Sequence, residues 1–185
     1  MNEMTTDMAP DMVPVDAYGA LTGPMTLTIQ RILPGPVERI WDYLTDGALR
    51  ARWLAAGEME PRVGGAAEFI WRNDELTDPP GAKPQGFGAE HRMKATVTEY
   101  DPPRRLAFTW EETGGVAITL EPKGTRVLLT LTHRDLPRRS MLLGVSAGWH
   151  AHLDVLVARA RSVEPAPFWD AWARLRAEYD ARLPA

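Results

Sequence analysis

The sequence predicts an α+β domain in which a curved antiparallel sheet is covered by one long helix towards the C-terminus. Three observations lead there. Apolar residues alternate with period two through much of residues 58–133. The connections between these runs are short, which makes neighbouring strands antiparallel. A single stripe of apolar residues at helical spacing then follows, from Leu142 to Ala160. A chain of 185 residues, 44% of them hydrophobic, can bury a core of its own and suits one domain.

The elements follow in order. Residues 1–16, "MNEMTTDMAPDMVPVD", are polar, rich in methionine and broken by proline, and they show neither period. They are expected to form a flexible tail ahead of a single domain over 17–185. "MTLTIQRIL" alternates Leu27 and Ile29 with threonines and Gln30, which makes a half-buried strand ended by Pro34 and Pro36. Pro36 suits the opening of a helix, and Val37, Ile40, Trp41 and Leu44 continue at helical spacing. "GALRARWLA" adds Leu49 and Trp53 four apart, a second short helix.

The alternation then assigns faces. Met93, Ala95 and Val97 share one side with Leu106, Phe108 and Trp110, then with Val116, Ile118 and Leu120, and finally with Val127, Leu129, Leu131 and His133. "DPPR" at 101–104, "TGG" at 113–115 and "PKG" at 122–124 are the turns, so residues 92–133 read as a meander with one apolar face and a largely polar back. A long helix over 137–161 supplies the cover, through Leu142, Val145, Trp149, Leu153, Leu156 and Ala160. His152 lies at the margin of that stripe, either satisfied at the core edge or facing a ligand cavity. His150 and Asp154, four apart, point away and read as a solvated pair. Residues two apart do not face each other on a helix, so the spacing argues against a metal shared by the two histidines.

Two further segments carry functional content. Residues 73–91, "NDELTDPPGAKPQGFGAEH", hold three prolines and three glycines and are too long for a hairpin. This loop is expected either to cover a pocket mouth, with Phe87 inserting its ring, or to be a mobile or subunit-packing loop. Its acidic residues Asp74, Glu75, Asp78 and Glu90 lack the spacing of a metal-binding loop. The last piece, a helix over about 166–183, aligns Phe168, Trp172, Leu175, Tyr179 and Leu183. Such a stripe must dock, on its own domain or across a homodimer, and the sequence leaves both open.

Composition excludes several classes. The formal charge is −4, with 21 basic against 25 acidic residues and no basic block, so nucleic acid is not an expected partner. The chain has no cysteine, which removes disulfides and thiolate chemistry. No run approaches the roughly 18 apolar residues of a membrane span. The start lacks a basic end followed by an apolar run, and a cytoplasmic location is expected. "HRD" at 133–135 and "GFG" at 86–88 lack the surroundings that would make them a kinase loop or a dinucleotide fingerprint. No metal or cofactor is expected.

The pieces "LPGPVERIWDYLTD", "YDPPRRLAFTW", "TRVLLTLTH" and "GWHAHLDVL", taken in this order, resemble the bacterial relatives of the C-terminal domain of the activator of the 90-kDa heat-shock protein ATPase. That group lies within the START-like, polyketide-cyclase-like (SRPBCC) superfamily. The likeness runs from about residue 25 to 160. It implies a helix-grip fold, whose long helix and concave sheet in many superfamily members enclose a hydrophobic small molecule. It supplies no fixed catalytic set, and because it covers one of the activator's two domains, chaperone activation is not carried over.

The leading expectation is therefore a binding protein for a small hydrophobic or aromatic molecule held between the long helix and the sheet. Phe108, Trp110, Leu129, Trp149 and Leu156 are aimed at that space, with Trp53 and Phe69 approaching from the helix pair and the first half of the sheet and Phe87 from the loop. His152 or His133 would orient the ligand through one hydrogen bond. The alternative is a cyclase- or hydrolase-like enzyme using the same cavity, with His133, His152 or Glu90 as acid or base. A third reading, a chaperone-associated interaction module, rests on family analogy alone.

Overall fold

The protein, as a computed structural model, is described over residues 15–185, so nearly all of the tail expected at 1–16 lies outside the described residues. Seven strands are β1 (Ala20–Gly23), β2 (Thr26–Pro34), β3 (Ala66–Trp71), β4 (His91–Asp101), β5 (Arg105–Phe108), β6 (Val116–Lys123) and β7 (Arg126–His133). They form one antiparallel sheet in the order β1-β2-β7-β6-β5-β4-β3. The meander β4 to β7 is the one expected from alternation. β1, only four residues long and half exposed, has too short a pattern to read from sequence. The helices are α1 (Val37–Thr45), α2 (Gly47–Arg50), α3 (Arg139–Ala160) and α4 (Phe168–Arg182). This is a helix-grip architecture with an added terminal helix.

The inward face holds Leu27, Ile29 and Leu33 of β2, Val127, Leu129 and Leu131 of β7, and Val116, Ile118 and Leu120 of β6, all at most 3% exposed. Threonines occupy the back, where Thr28 bonds Thr132 and Gln30 bonds Thr130 across β2 and β7. α1 packs on β6 and β7 through Ile40, Trp41 and Leu44. Asp46 caps α2 by accepting from the Leu49 amide at 2.9 Å. The turn after α2 buries Trp53 completely, its indole N–H donating to the Tyr43 carbonyl at 2.8 Å.

α3 lies on the sheet beside β2, and α4 packs on α3 from the other side. Although no unbroken run of about 18 apolar residues occurs, the length and composition of α3 alone would let it cross a membrane. Most of its apolar window is buried within this domain, as in a core helix. The docking of α4 also overturns one expectation. His150 is not a solvated residue: it is 4% exposed, with Nδ1 3.0 Å from the Tyr179 hydroxyl of α4. Its partner Asp154 is exposed but engaged, accepting from Arg31 of β2 at 2.9 Å. Arg31 occupies an inward-facing position of its strand and is 6% exposed, so its guanidinium needs that carboxylate and the Ala17 carbonyl it also reaches.

Candidate functional site

Between the middle of α3, the N-terminal half of α4, the far corner of the sheet and the long loop lies a cavity of about 410 Å³. That volume falls in the usual range for a small-molecule pocket. Its walls are mainly aromatic. Trp71 of β3, Trp110 just after β5 and Trp149 of α3 follow one another with ring centroids 5.3 and 5.5 Å apart. Opposite them stand Phe168, Trp169 and Trp172 of α4, and Phe87 of the loop packs on Trp169 at 4.8 Å and Trp172 at 5.0 Å. Five of the chain's seven tryptophans thus line one space.

The loop and α4 are joined by hydrogen bonds along this wall. Asp74 accepts from the Trp169 indole at 2.7 Å and from Lys83 at 2.7 Å. The lysine and the indole hold its carboxyl below the usual range. The Trp169 amide donates to the Pro80 carbonyl, the Phe168 amide to the Thr77 hydroxyl, and the Ala82 amide to the Asp170 carboxylate. α4 has no side-chain cap of its own, so the loop satisfies its first amides. Residues 73–91 therefore shape the cavity mouth, with Phe87 at the rim and 41% exposed rather than deep inside.

The expected residues divide. Phe87, Trp110, Trp149 and His152 line the cavity. Trp53, Phe69, Phe108, Leu129, His133 and Leu156 do not; each is at most 2% exposed and packed in the core. The space between the centre of α3 and the sheet is filled by side chains, and the open volume is displaced towards α4. The expectation of a cavity directly under Leu156 is corrected accordingly. Trp71, Phe168, Trp169 and Trp172 were not named as cavity residues. Trp71 shares the parity of Phe69 on β3 and could have been found from it, whereas the α4 rings needed the docking side of that helix.

The histidines have distinct jobs. His133 uses both nitrogens: Nδ1 accepts from the Trp149 indole at 3.1 Å, and Nε2 lies 2.9 Å from the Thr113 hydroxyl. Since Nδ1 accepts, the proton sits on Nε2 and is donated to Thr113, which in turn donates to the Trp110 carbonyl at 2.8 Å. His133 therefore fixes two walls from behind and presents no free group to a ligand. His152 has Nδ1 2.8 Å from the Trp53 carbonyl. A carbonyl only accepts, so Nδ1 carries the proton and Nε2 keeps its lone pair on a residue that lines the cavity. Burial pushes both rings down to about 4, so both are neutral at pH 7.

The polar rim is separate. Glu90 accepts from Arg92 at 2.6 Å and from Arg72 at 2.9 Å, and these cations hold its carboxyl below the usual range. It is an ionised, paired group at the mouth. His91, exposed on β4, also borders the opening.

A helix-grip domain with an aromatic cavity closed by its last helix is thus the class that fold and site define. The family model "Activator of Hsp90 ATPase homolog 1-like protein" matches residues 34–161, and the chain belongs to that family. A Bordetella parapertussis protein encoded by gene BPP1335, solved by solution NMR, is similar at 35% identity, with a TM-score of 0.76 and 96% of each chain covered. CalU16 from Micromonospora echinospora shares the fold at 24% identity and a TM-score of 0.61, over 84% of this chain and 86% of that one. DynU16, a protein of the dynemicin biosynthetic locus, shares it at 19% identity and a TM-score of 0.60, over 77% of this chain and 49% of that one. No curated protein matches.

Proposed function

We propose that the protein binds a small hydrophobic or aromatic molecule in the cavity between α3, α4 and the loop. The observation that carries this reading is the convergence of five indoles and two phenyl rings on a space of about 410 Å³ that no side chain of the described residues fills. An aromatic lining supplies affinity through area removed from water, and one polar group supplies orientation. His152 is that group. DynU16, which shares the fold, comes from a biosynthetic locus, a setting that agrees with a small-molecule role but concerns that protein.

The enzyme reading is less well served by the same geometry. Acid–base work needs at least two polar groups within reach of one substrate. His133 has both nitrogens committed and Glu90 is neutralised by two arginines at the rim, which leaves two uncommitted polar groups in the interior lining, His152 and Asn73, whose buried Oδ1 has no partner among the described residues; of the two only the imidazole can exchange a proton.

Calorimetric titration with biphenyl tests the proposal, using two tryptophan substitutions as controls. Val145 lines the cavity and is half-buried, so Val145→Trp is expected to abolish uptake with little change in melting temperature. Leu156 is fully buried in the filled core, so Leu156→Trp is expected to cost about 1 to 3 kcal/mol through overpacking. Absence of saturable binding to the unmodified protein, or undiminished binding to Val145→Trp, would contradict the reading.

A further inference from the structure

The floor of the cavity is a ridge of α3 made of Gly144, Gly148 and His152, spaced four and four, and therefore on one side of the helix. Glycine inside a helix costs about 1 kcal/mol relative to alanine, so two glycines one turn apart call for a reason. Packing among the described residues gives none. A β-carbon placed on Gly144 would meet none of their atoms within 4 Å, and one on Gly148 would meet only the Trp172 indole nitrogen at 3.9 Å, an ordinary contact. What the glycines leave bare is the α3 backbone itself, open to whatever enters. His152 ends this floor, 6% exposed, with Nδ1 bonded to Trp53 and Nε2 without a partner among the described residues.

Resting on the binding reading above, we propose that this ridge is a subsite for a flat, uncharged, elongated aromatic molecule that lies on Gly144 and Gly148 and donates a hydrogen bond, as a phenolic hydroxyl does, to His152 Nε2. The eight steps along the helix from Gly144 to His152 rise about 12 Å, which suits two or three rings in a row. The polarity follows from the tautomer. Nε2 can only accept while the ring is neutral, so a carbonyl or ether oxygen there would set lone pair against lone pair. A carboxylate would bring a charge into an aromatic enclosure whose interior polar side chains, His152 and Asn73, carry none, at a large desolvation cost. The cations near the mouth, Arg72 and Arg92, are already occupied by Glu90.

The test compares 4-hydroxybiphenyl, 4-methoxybiphenyl and biphenyl by calorimetric titration of the full chain. The hydroxyl compound is expected to bind at least about tenfold more tightly than the methoxy compound, and His152→Phe to remove that preference while keeping biphenyl binding. Gly144→Leu is expected to abolish binding of all three without lowering the melting temperature, because its side chain enters open space and leucine favours the helix. Should His152→Phe fail to fold, the nitrogen NMR signal of His152 Nε2 in the unmodified protein serves instead, and it is expected to move on addition of 4-hydroxybiphenyl and not of biphenyl. Equal affinities for the hydroxyl and methoxy compounds, an unmoved Nε2 signal, or full binding to a folded Gly144→Leu overturns the subsite while leaving the cavity as a binding site. Failure of all three probes with the unmodified protein overturns both.

Discussion

His133 and His152 differ in sequence context far less than in what they do, because each is defined by what its two nitrogens meet. His133 ends β7 on the inward parity, so its burial was legible; that it holds Trp149 and, through Thr113, Trp110 depended on α3 and the turn after β5 both meeting the end of β7. His133→Phe keeps the volume and removes both bonds. It is expected to cost about 2 kcal/mol, read from the denaturant midpoint, and to weaken binding of biphenyl by loosening two walls. The histidines also set an acid limit. Burial pushes His133, His150 and His152 down to about 4 in the folded chain, below the ordinary value near 6.5. Between those values the unfolded chain binds more protons, so stability is complete above about pH 6.5 and falls as pH drops towards 4, by up to about 1.4 kcal/mol per pH unit for each ring. Denaturation midpoints measured from pH 7.5 to 4.5 check this: a flat profile above pH 5 would remove the buried neutral rings from the explanation.

At the scale of elements, the loop and α4 behave as one wall. The amphipathic stripe of α4 announced that it docks, and the composition of residues 73–91 announced a loop with work to do. Neither pattern named the other as partner, because the bonds that join them involve backbone carbonyls and single side chains with no period. Asp74 is the clearest of these, taking both the Trp169 indole and Lys83. Asp74→Ala is expected to lower stability by about 1 kcal/mol and to raise hydrogen exchange at the first amides of α4, since the loop that satisfies them loses an anchor. Unchanged exchange at Phe168 and Trp169 would separate the loop from the helix. His150 gives the same lesson in reverse. Helical spacing placed it correctly away from the sheet-facing stripe, yet "away from the sheet" is solvent only where no second layer follows, and α4 is that layer.

For the whole molecule, the order of strands and helices was readable because period-two and period-3.6 patterns are local. The inward faces of β4 to β7 and the length of α3 follow from them directly. The position of the cavity was not readable from those patterns, since a filled core and an open pocket show the same alternation. Phe108, Leu129 and Leu156 point at the space between helix and sheet as expected, and they fill it. The open volume arises where the sheet ends, α3 turns two glycines outward and α4 contributes rings without closing the gap. One signal for it was present in the sequence: glycines four apart inside an otherwise apolar helix.

The seven tryptophans allow the central claim to be tested in one spectrum. Trp71, Trp110, Trp149, Trp169 and Trp172 line the cavity, whereas Trp41 packs with Tyr100 and Trp53 donates to Tyr43 in the core. Each indole N–H gives its own nitrogen–proton correlation, so a titration with 4-hydroxybiphenyl reports on all of them at once. The expected result is saturable movement of the five cavity signals with those of Trp41 and Trp53 left in place. Movement concentrated on Trp41 or Trp53, or no movement of the five at saturating probe, would contradict a ligand cavity between α3, α4 and the loop.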